Sequence, residues 1–205
     1  FSYPGATQPA LRTVTFDIAP GSTVAVVGPT GAGKSTIVKL IERFYEPTEG
    51  TIRTNTTNIK DLPINRWRSA VGFVPKEAHL FTGTIAENIA YGHPTANREE
   101  ITDAARRVGA LHAIAAIPGG FNARIGERGR GLSSGQRQLV ALARAEMIHP
   151  QLLLLDEATA TLDPATEKTI VAASNRVTQA RTAVVVAHQL ATARRADLIL
   201  MVSDG

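Results

Sequence analysis

The sequence predicts an α/β fold with a largely parallel β-sheet, an N-terminal antiparallel β portion and an inserted helical subdomain. Continuous apolar segments at residues 152–155, 183–187 and 198–202 alternate with helical patterns, which is typical of parallel strands that are buried on both faces. Another apolar segment, residues 24–27, leads into a glycine-rich turn and then a helical pattern. A chain of 205 residues can form one large domain, or one domain with a small lobe.

The composition is that of a globular protein, with 43% hydrophobic and 20% charged residues. Because cysteine is absent, disulfides, thiolate metal sites and a thiol nucleophile are excluded. No apolar run approaches the ~20 residues that span a bilayer, and no signal peptide is present. The chain opens within a strand-like pattern, so we expect it to be a piece of a longer protein. A net charge of +4 is too small to argue for nucleic acid as a partner.

The first part of the chain is predicted to be extended and then to turn at residues 4–5. Farther along, Val14, Phe16 and Ile18 alternate with polar residues, a period that predicts a half-exposed strand. Residues 51–58 are polar and β-branched and predict a strand with an exposed hairpin. These segments make up the predicted antiparallel portion.

The segment Gly28-Pro-Thr-Gly-Ala-Gly-Lys-Ser-Thr36 lies between a strand and a helix, where G-x-x-x-x-G-K-[ST] predicts a phosphate-binding loop. Its glycines let backbone amides turn inward around an anion. The helix that starts near Gly33 adds free N–H groups and the positive end of its dipole. Lys34 is predicted to reach the β- and γ-phosphates, and Ser35 to ligate Mg²⁺. The predicted nucleotide-binding residues of this loop are Gly28, Thr30, Gly31, Ala32, Gly33, Lys34, Ser35 and Thr36.

The middle of the chain changes character after a short buried strand at residues 71–74. The pattern from residue 77 to residue 147 is mostly helical, so we divide the chain into a core, 1–76 and 148–205, and a helical subdomain, 77–147. The helix after the phosphate loop is predicted to bury one face formed by Ile37, Val38, Ile41 and Phe44. Inside the helical subdomain, helical spacing relates Ile101, Ala104, Ala105, Val108, Leu111, Ile114 and Ala115.

Two adjacent carboxylates, Asp156 and Glu157, follow the buried strand at residues 152–155. Ligands bind at the carboxyl ends of strands in open α/β sheets, and buried carboxylates are costly unless a cation or a reaction uses them. With a phosphate loop upstream, we expect Asp156 to hold Mg²⁺ through water and Glu157 to polarise the attacking water. Asp163 and Pro164 then predict the N-cap and first residue of another helix.

A second potential anion site is the segment Leu132-Ser-Ser-Gly-Gln136, whose small residues precede a helical pattern. With this segment the chain resembles the nucleotide-binding domain of an ABC transporter, whose signature reads Leu-Ser-Gly-Gly-Gln. The resemblance runs nearly end to end: residues 28–36 match the Walker A loop and residues 152–157 match Walker B. It implies a P-loop NTPase core that takes ATP as substrate and Mg²⁺ as cofactor.

The resemblance also implies roles that spacing alone leaves open. Tyr3 matches the aromatic residue that stacks on adenine, and Glu157 matches the general base. His188 is similar to the switch histidine that senses the γ-phosphate, although a lone histidine after a strand is more often structural. Residues 160–163 resemble the D-loop, which ends at Asp163. The signature residues, which act on the ATP of a second nucleotide-binding domain packed head to tail, are Ser133, Ser134, Gly135 and Gln136.

Two stretches narrow the type of transporter. Residues 81–89 resemble the exporter segment beside the transmembrane coupling helices, and residues 125–129 resemble the exporter X-loop. The resemblance therefore implies the ATP-hydrolysing motor domain of an exporter, at the cytoplasmic face of a membrane. The partners it implies are a second nucleotide-binding domain, in a homodimer or a heterodimer, and the transmembrane domain. Nucleic acid is not an expected partner.

The sequence departs from the family pattern at three places. Lys76 stands where the Q-loop glutamine is expected, Ser134 stands where the signature has glycine, and residues 54–56 replace an apolar residue and Asp-Gly in the hairpin. Lysine has three donors and no acceptor, so Lys76 cannot ligate Mg²⁺. We expect its ammonium to swing away or to pair with phosphate or Asp156.

Two alternatives stay open at this point. One is a low-turnover nucleotide switch that forms half of an asymmetric heterodimer, which Ser134 and Lys76 favour and Glu157 opposes. The other is a soluble ABC ATPase that acts outside transport, which the exporter-like stretches oppose.

Overall fold

The computed structural model describes residues 1–156, 163–179, 181–187, 190–203 and 205. In this part of the chain, parallel strands form a central sheet in the order β4-β7-β8-β1-β9. The strands of this sheet are β1 (Thr23–Val27), β4 (Val71–Val74), β7 (Leu152–Asp156), β8 (Thr182–Val186) and β9 (Leu198–Met201). Two antiparallel pairs lie outside it: β2 (Arg53–Thr54) with β3 (Thr57–Asn58), and β5 (Gly83–Thr84) with β6 (Arg124–Ile125).

The helices flank the sheet and fill the segment between β4 and β7. They are α1 (Lys34–Ile41), α2 (Ile64–Ala70), α3 (Ile85–Ile89), α4 (Arg98–Val108), α5 (Leu111–Ala115), α6 (Ser134–Met147), α7 (Pro164–Thr178) and α8 (Leu190–Ala193). Short 3₁₀ turns occupy Ile59–Asp61, Ala90–Gly92, Gly120–Asn122 and Glu127–Gly129. No helix among the described residues combines the length and apolarity that a bilayer crossing requires.

Strand β8 brings the ends of β1 and β7 to one edge of the sheet. Val186 pairs with Val26 on one side and with Asp156 on the other. Because all three strands are parallel, their carboxyl ends meet at the same edge. The phosphate loop after β1 and Asp156 at the end of β7 are therefore neighbours, as the sequence predicted.

Strand β7 is buried on both faces, as its run of leucines predicted. Leu153 and Leu155 belong to the core cluster that includes residues of α3, α4, α6 and α7. Leu154 belongs to the cluster on the opposite face, with Ile37 of α1 and Trp67 of α2. The two-sided burial explains why a continuous apolar segment, rather than an alternating one, forms this strand.

The last strand is an exception to this pattern, and here the prediction was wrong. Residues 198–202 were expected to be buried on both faces, but β9 is the edge strand of the sheet. Leu198 is 44% exposed and Met201 74% exposed. Within the described residues β9 pairs only with β1, so this apolar segment forms an edge strand and not a central strand.

The predicted strand through Val14, Phe16 and Ile18 is also wrong. No described residue between 13 and 19 lies in a strand. Phe16 and Ile18 nevertheless pack against the core, while Val14 is exposed. The alternation thus arises because the side chains on one side of this segment pack against the core, while its backbone pairs with no neighbouring strand among the described residues. The turn at residues 4–5 and the hairpin within residues 51–58 are confirmed.

Helix α1 buries three of the four side chains assigned to its inner face. Ile37, Val38 and Ile41 are buried, but Phe44 is 57% exposed because the helix ends at Ile41. The chain turns at Arg43, whose φ is +57°, so Phe44 leaves the helical face. The Phe44 ring instead lies beneath the Arg68 guanidinium at 5.2 Å.

The segment between β4 and β7 is mainly helical, as predicted, and its apolar face is buried. Helix α4 buries Ile101, Ala104, Ala105 and Val108. A capping box between Asn97 and Glu100 forms the N-terminus of this helix. The β5–β6 pair inside this segment was not predicted. Residues from β4, β7 and β8 belong to the same core cluster as these helices. The division into a core and a helical subdomain remains a prediction.

Candidate functional site

The phosphate loop has a backbone that only glycine can adopt at its critical positions. Gly28 and Gly33 have φ of +151° and +102°. A Cβ at Gly28 would lie 2.0 Å from the Val202 carbonyl oxygen, and one at Gly33 would lie 2.6 Å from the Ala10 carbonyl oxygen. The glycines therefore serve both conformation and close packing, so that the loop lies tightly against the neighbouring chain.

Lys34 is the first residue of α1 and is buried, with its ammonium held inside the loop. Its Nζ donates to the Gly28 and Pro29 carbonyl oxygens, each at 2.9 Å. Gly33 is the N-cap of α1, and among the described residues no side chain caps this helix end. The free N–H groups of the first helical turn and a buried ammonium thus converge on one point, which is a strong site for a polyphosphate.

Ser35 and Asp156 are brought together by the sheet. The Ser35 hydroxyl donates to Asp156 Oδ1 at 3.2 Å, across 121 residues of sequence. Both groups offer oxygen, the ligand that Mg²⁺ prefers, and two protein oxygens leave room for phosphate and water around an octahedral ion. The donor set therefore fits Mg²⁺ at the position that the sequence predicted.

A cavity of about 350 Å³ opens beside this pair. Its size is at the lower end of the range for small-molecule sites. It reaches both proposed metal-binding groups and is lined by Ser35, Val38, Lys39, Phe44, Tyr45, Phe73 and Asp156.

Glu42 is a buried carboxylate near the site that the sequence interpretation missed. Burial raises its pKa from the ordinary 4.5 to about 7, Arg68 opposes this rise, and the charge of Asp156 adds to it. Its Oε2 atom has no hydrogen-bond partner among the described residues. The available signal was its spacing, because residue 42 follows Ser35 by two helical turns on the inner face of α1.

Tyr3, which the resemblance matched to the adenine-stacking aromatic, lies beside the start of α1. Its hydroxyl is 3.0 Å from the Thr36 hydroxyl. The rings of Phe1 and Tyr45 meet the Tyr3 ring edge-on, with centroids 4.9 and 5.1 Å away. Tyr45 was not predicted from the sequence. The three rings form an aromatic wall at the entrance to the phosphate loop.

The signature segment forms the N-terminus of α6 and is not hydrogen-bonded to the phosphate loop within the described residues. The Ser133 side chain accepts from the Gln136 N–H at 3.2 Å, and the Gln136 side chain accepts from the Ser133 N–H at 2.9 Å. This capping box fixes the first turn of the helix. Ser134 is exposed, whereas Gly135 is buried.

Asp163 is the N-cap of α7, as predicted. Its Oδ1 accepts from the Thr166 N–H at 3.0 Å and from the Ala165 N–H at 3.1 Å. Hydrogen bonds from the Thr166 side chain and backbone hold the pKa of Asp163 below its usual range. The carboxylate is therefore charged and fixed in place at the end of the D-loop segment.

Lys76 is exposed and lies two residues after the end of β4. The neighbouring Pro75 carbonyl accepts a hydrogen bond of 3.3 Å from the buried Gln138 of α6. Two predicted catalytic residues, Glu157 and His188, lie outside the described residues, as do residues 160–162 of the D-loop segment.

An exposed aromatic pair lies at the two ends of the segment at residues 81–89, with Phe81 as its first residue and Tyr91 just beyond its last. The Phe81 and Tyr91 rings are stacked with centroids 4.4 Å apart, and they are 41% and 58% exposed. Asn88 is buried and binds the Phe81 backbone, while Arg144 donates to the Asn88 side chain at 2.7 Å. Burial lowers the pKa of Arg144 to about 10. A rigid polar network therefore supports an apolar surface.

Comparison with known proteins places these features in one family. A family model described as ABC transporter matches residues 11–160. The "Multidrug efflux ATP-binding/permease protein" of Mycobacterium bovis is 43% identical over the whole chain, which covers 17% of that protein. The "ATP-dependent lipid A-core flippase" of Chromobacterium violaceum is 42% identical over the whole chain, which covers 35% of it.

A solved structure agrees with the sequence comparison. It is described as a bacterial Atm1-family ABC exporter with ATP bound, and it matches 97% of this chain with a TM-score of 0.88 and 42% identity. The match covers 35% of that chain. The present chain thus spans about a third or less of the length of these relatives.

Proposed function

Because the chain belongs to the ABC transporter family, and its relatives are named as exporters, we propose that it is the motor domain that powers export of a substrate across a membrane. Nucleotide-binding domains of this family are ATPases, and the α/β fold is the P-loop NTPase fold that the resemblance implied. The observation that carries the proposal is the convergence of Lys34, the free end of α1 and the Ser35–Asp156 pair at one edge of the sheet.

ATP is held by the phosphate loop and by Tyr3. The loop amides and Lys34 neutralise the β- and γ-phosphates, and the aromatic wall around Tyr3 takes the adenine. Ser35 and Asp156 hold Mg²⁺, directly or through water. When bound, Mg²⁺ would supply positive charge beside the phosphates, and this charge would offset the charge that develops in the transition state.

Hydrolysis is assigned to two residues by the resemblance alone. Glu157 accepts a proton from the attacking water, and His188 positions the γ-phosphate. Its place in the sequence, directly after Asp156, supports the assignment of Glu157, because Asp156 ends β7 and its carboxylate lies beside Ser35 of the phosphate loop.

The active form is a head-to-tail pair of nucleotide-binding domains. Each ATP lies between the phosphate loop of one domain and Ser133, Ser134, Gly135 and Gln136 of the other. Binding of ATP closes the pair, and hydrolysis with product release reopens it. The N-terminus of α1, to which the signature of the same chain is not hydrogen-bonded within the described residues, supports this arrangement.

Pair closure moves a transmembrane domain at the cytoplasmic face of the membrane. The exposed Phe81–Tyr91 pair supports this part of the proposal, because exposed apolar surface above a rigid polar network suits a docking helix. Nucleic acid is not among the proposed partners.

A second candidate function is the low-turnover half of an asymmetric pair. It is favoured by Ser134, whose exposed side chain stands where a glycine would let the partner's phosphate approach the backbone. Glu157 is present and argues against complete loss of hydrolysis.

The proposed function is tested with Lys34→Ala, which removes the buried ammonium from the phosphate loop. We expect this change to weaken ATP binding by about tenfold or more, since charged hydrogen-bond partners of phosphate are lost, and to abolish turnover. Lys60→Ala is the matched control, because Lys60 is an exposed lysine that pairs with Glu46 on the surface. Equal ATP affinity of the Lys34 variant and the control would contradict the proposed site.

A further inference from the structure

The buried glycine of the signature is constrained by its own chain. A Cβ placed on Gly135 would lie 2.2 Å from Cγ2 of Thr166, 3.6 Å from its Cβ and 3.8 Å from its Oγ1. Carbon atoms in contact are separated by ~3.5–4.0 Å, so only the Thr166 methyl group excludes a side chain here. The neighbouring Ser134 is exposed and meets no such limit.

Thr166 is linked to the D-loop segment as well as to the signature. Its backbone N–H donates to Asp163 Oδ1 at 3.0 Å, and its side chain also hydrogen-bonds Asp163. Thr166 lies in the first turn of α7, and Asp163 is the N-cap of that helix. One residue therefore contacts Gly135 through its methyl group and Asp163 through its polar groups.

The helices on either side of this contact pack over a long interface. Ile170, Ala173 and Val177 of α7 share a core cluster with Leu139 and Leu142 of α6. Well-packed cores tolerate little displacement. The contact between the Thr166 methyl group and the Gly135 backbone therefore determines the distance between the first turns of α6 and α7.

We propose that Thr166 is a positioning residue that fixes the distance between the signature at the start of α6 and Asp163 at the start of α7. Both segments face the partner domain in the proposed pair, so the inference rests on the proposed function. The direction of the missing Cβ at Gly135 is toward α7 of the same chain. Any side chain at this position would thus displace Thr166 of the same chain.

The test is a rescue experiment that separates the methyl group of Thr166 from its hydroxyl. Gly135→Ala is combined with Thr166→Ser, which keeps the hydroxyl and removes the methyl, or with Thr166→Val, which keeps a methyl and removes the hydroxyl. All variants carry Glu157→Gln to slow hydrolysis. MgATP-dependent pairing is measured by light scattering, and ATP binding with a fluorescent analogue.

We expect Gly135→Ala to raise the concentration for half-maximal pairing by about tenfold, because overpacking a close helix contact displaces one helix start. ATP affinity of the unpaired chain should be unchanged, since ATP binding by the unpaired chain is assigned to its phosphate loop and not to its signature. Thr166→Ser should restore pairing in the Gly135→Ala chain, and Thr166→Val should not. The proposal would be overturned if Gly135→Ala left MgATP-dependent pairing unchanged, or if Thr166→Ser did not restore the pairing that Gly135→Ala weakens.

A second measurement distinguishes failure of this inference from failure of the proposed function. Amide exchange at Ala165 and Thr166, the two N–H groups capped by Asp163, is followed in each variant without nucleotide. Gly135→Ala should speed exchange at both, and Thr166→Ser should slow it again. If the parent chain fails to bind MgATP, the proposed function is wrong, and the exchange pattern still decides the helix spacing.

Discussion

The Ser35 hydroxyl lies 3.2 Å from the Asp156 carboxylate, and 121 residues of sequence separate them. The pairing of β8 with both β1 and β7 creates this proximity, because it aligns the loop after β1 with the end of β7. The sheet therefore brings together two side-chain oxygen groups of the kind that could ligate a divalent cation. This preorganisation is the central feature of the site.

Lys76→Gln is expected to strengthen the metal site. Lysine offers no acceptor, whereas glutamine can offer a carbonyl oxygen to Mg²⁺, and the loss of a positive charge removes repulsion of the cation. The variant should reach half-maximal ATPase activity at a lower Mg²⁺ concentration and should turn over faster. The measurement is a Mg²⁺ titration of ATPase activity, and superimposable curves would show that Lys76 does not limit the site.

Ser134→Gly is expected to promote self-pairing. The exposed serine side chain occupies the signature surface where a glycine backbone can approach an anion closely. In a Glu157→Gln background, the glycine variant should pair with MgATP at a protein concentration several times lower than the parent chain, as measured by light scattering. Efficient pairing of the parent chain, with no gain from glycine, would identify Ser134 as a tolerated residue and would count against a heteromeric partner.

Glu42→Gln is expected to change the pH dependence of stability. The pKa of Glu42 in the folded protein is about 7, above the ordinary 4.5, so the folded state holds this proton more tightly than the unfolded chain. The stabilisation is complete below pH 4.5 and is lost as the pH rises through 7. The wild type should therefore lose stability relative to the glutamine variant between these values.

Urea unfolding at several pH values measures this effect. The two proteins should unfold alike near pH 4.5, diverge as the pH rises toward about 7, and keep a constant difference above it, with the glutamine variant the more stable. Glu46→Gln is the control, since Glu46 is 51% exposed and pairs with Lys60 at the surface. A constant difference at every pH would show that Glu42 does not titrate in this range.

Much of the site followed from local sequence because local motifs encode it. The loop that holds Lys34 is a contiguous segment between a strand and a helix, and Asp156 ends an unmistakable buried strand. Parallel topology then makes their proximity predictable. The N-cap role of Asp163 was predictable for the same reason, since capping depends on a few consecutive residues.

The errors concern features that depend on distant neighbours. The alternation through Phe16 resembles a strand, but a strand also needs a paired backbone, which the sequence does not specify. The strand that contains Leu198 has the apolar composition of a central strand, but it lies at the edge of the sheet. The contact between Gly135 and Thr166 depends on the distance between two helices, and the pKa of Glu42 depends on burial created by the whole fold.

The most direct test of the central claim is ATP turnover by the chain and its Glu157→Gln variant, with Glu99→Gln as a control at an exposed position in the first turn of α4. The account predicts that the parent and control chains hydrolyse MgATP at similar rates. The Glu157 variant should bind ATP with unchanged affinity but release phosphate more slowly by ~10²-fold or more, the range for loss of general-base assistance. It should also accumulate an ATP-bound pair, because hydrolysis no longer reopens it. Undiminished phosphate release by the Glu157→Gln chain would contradict the account.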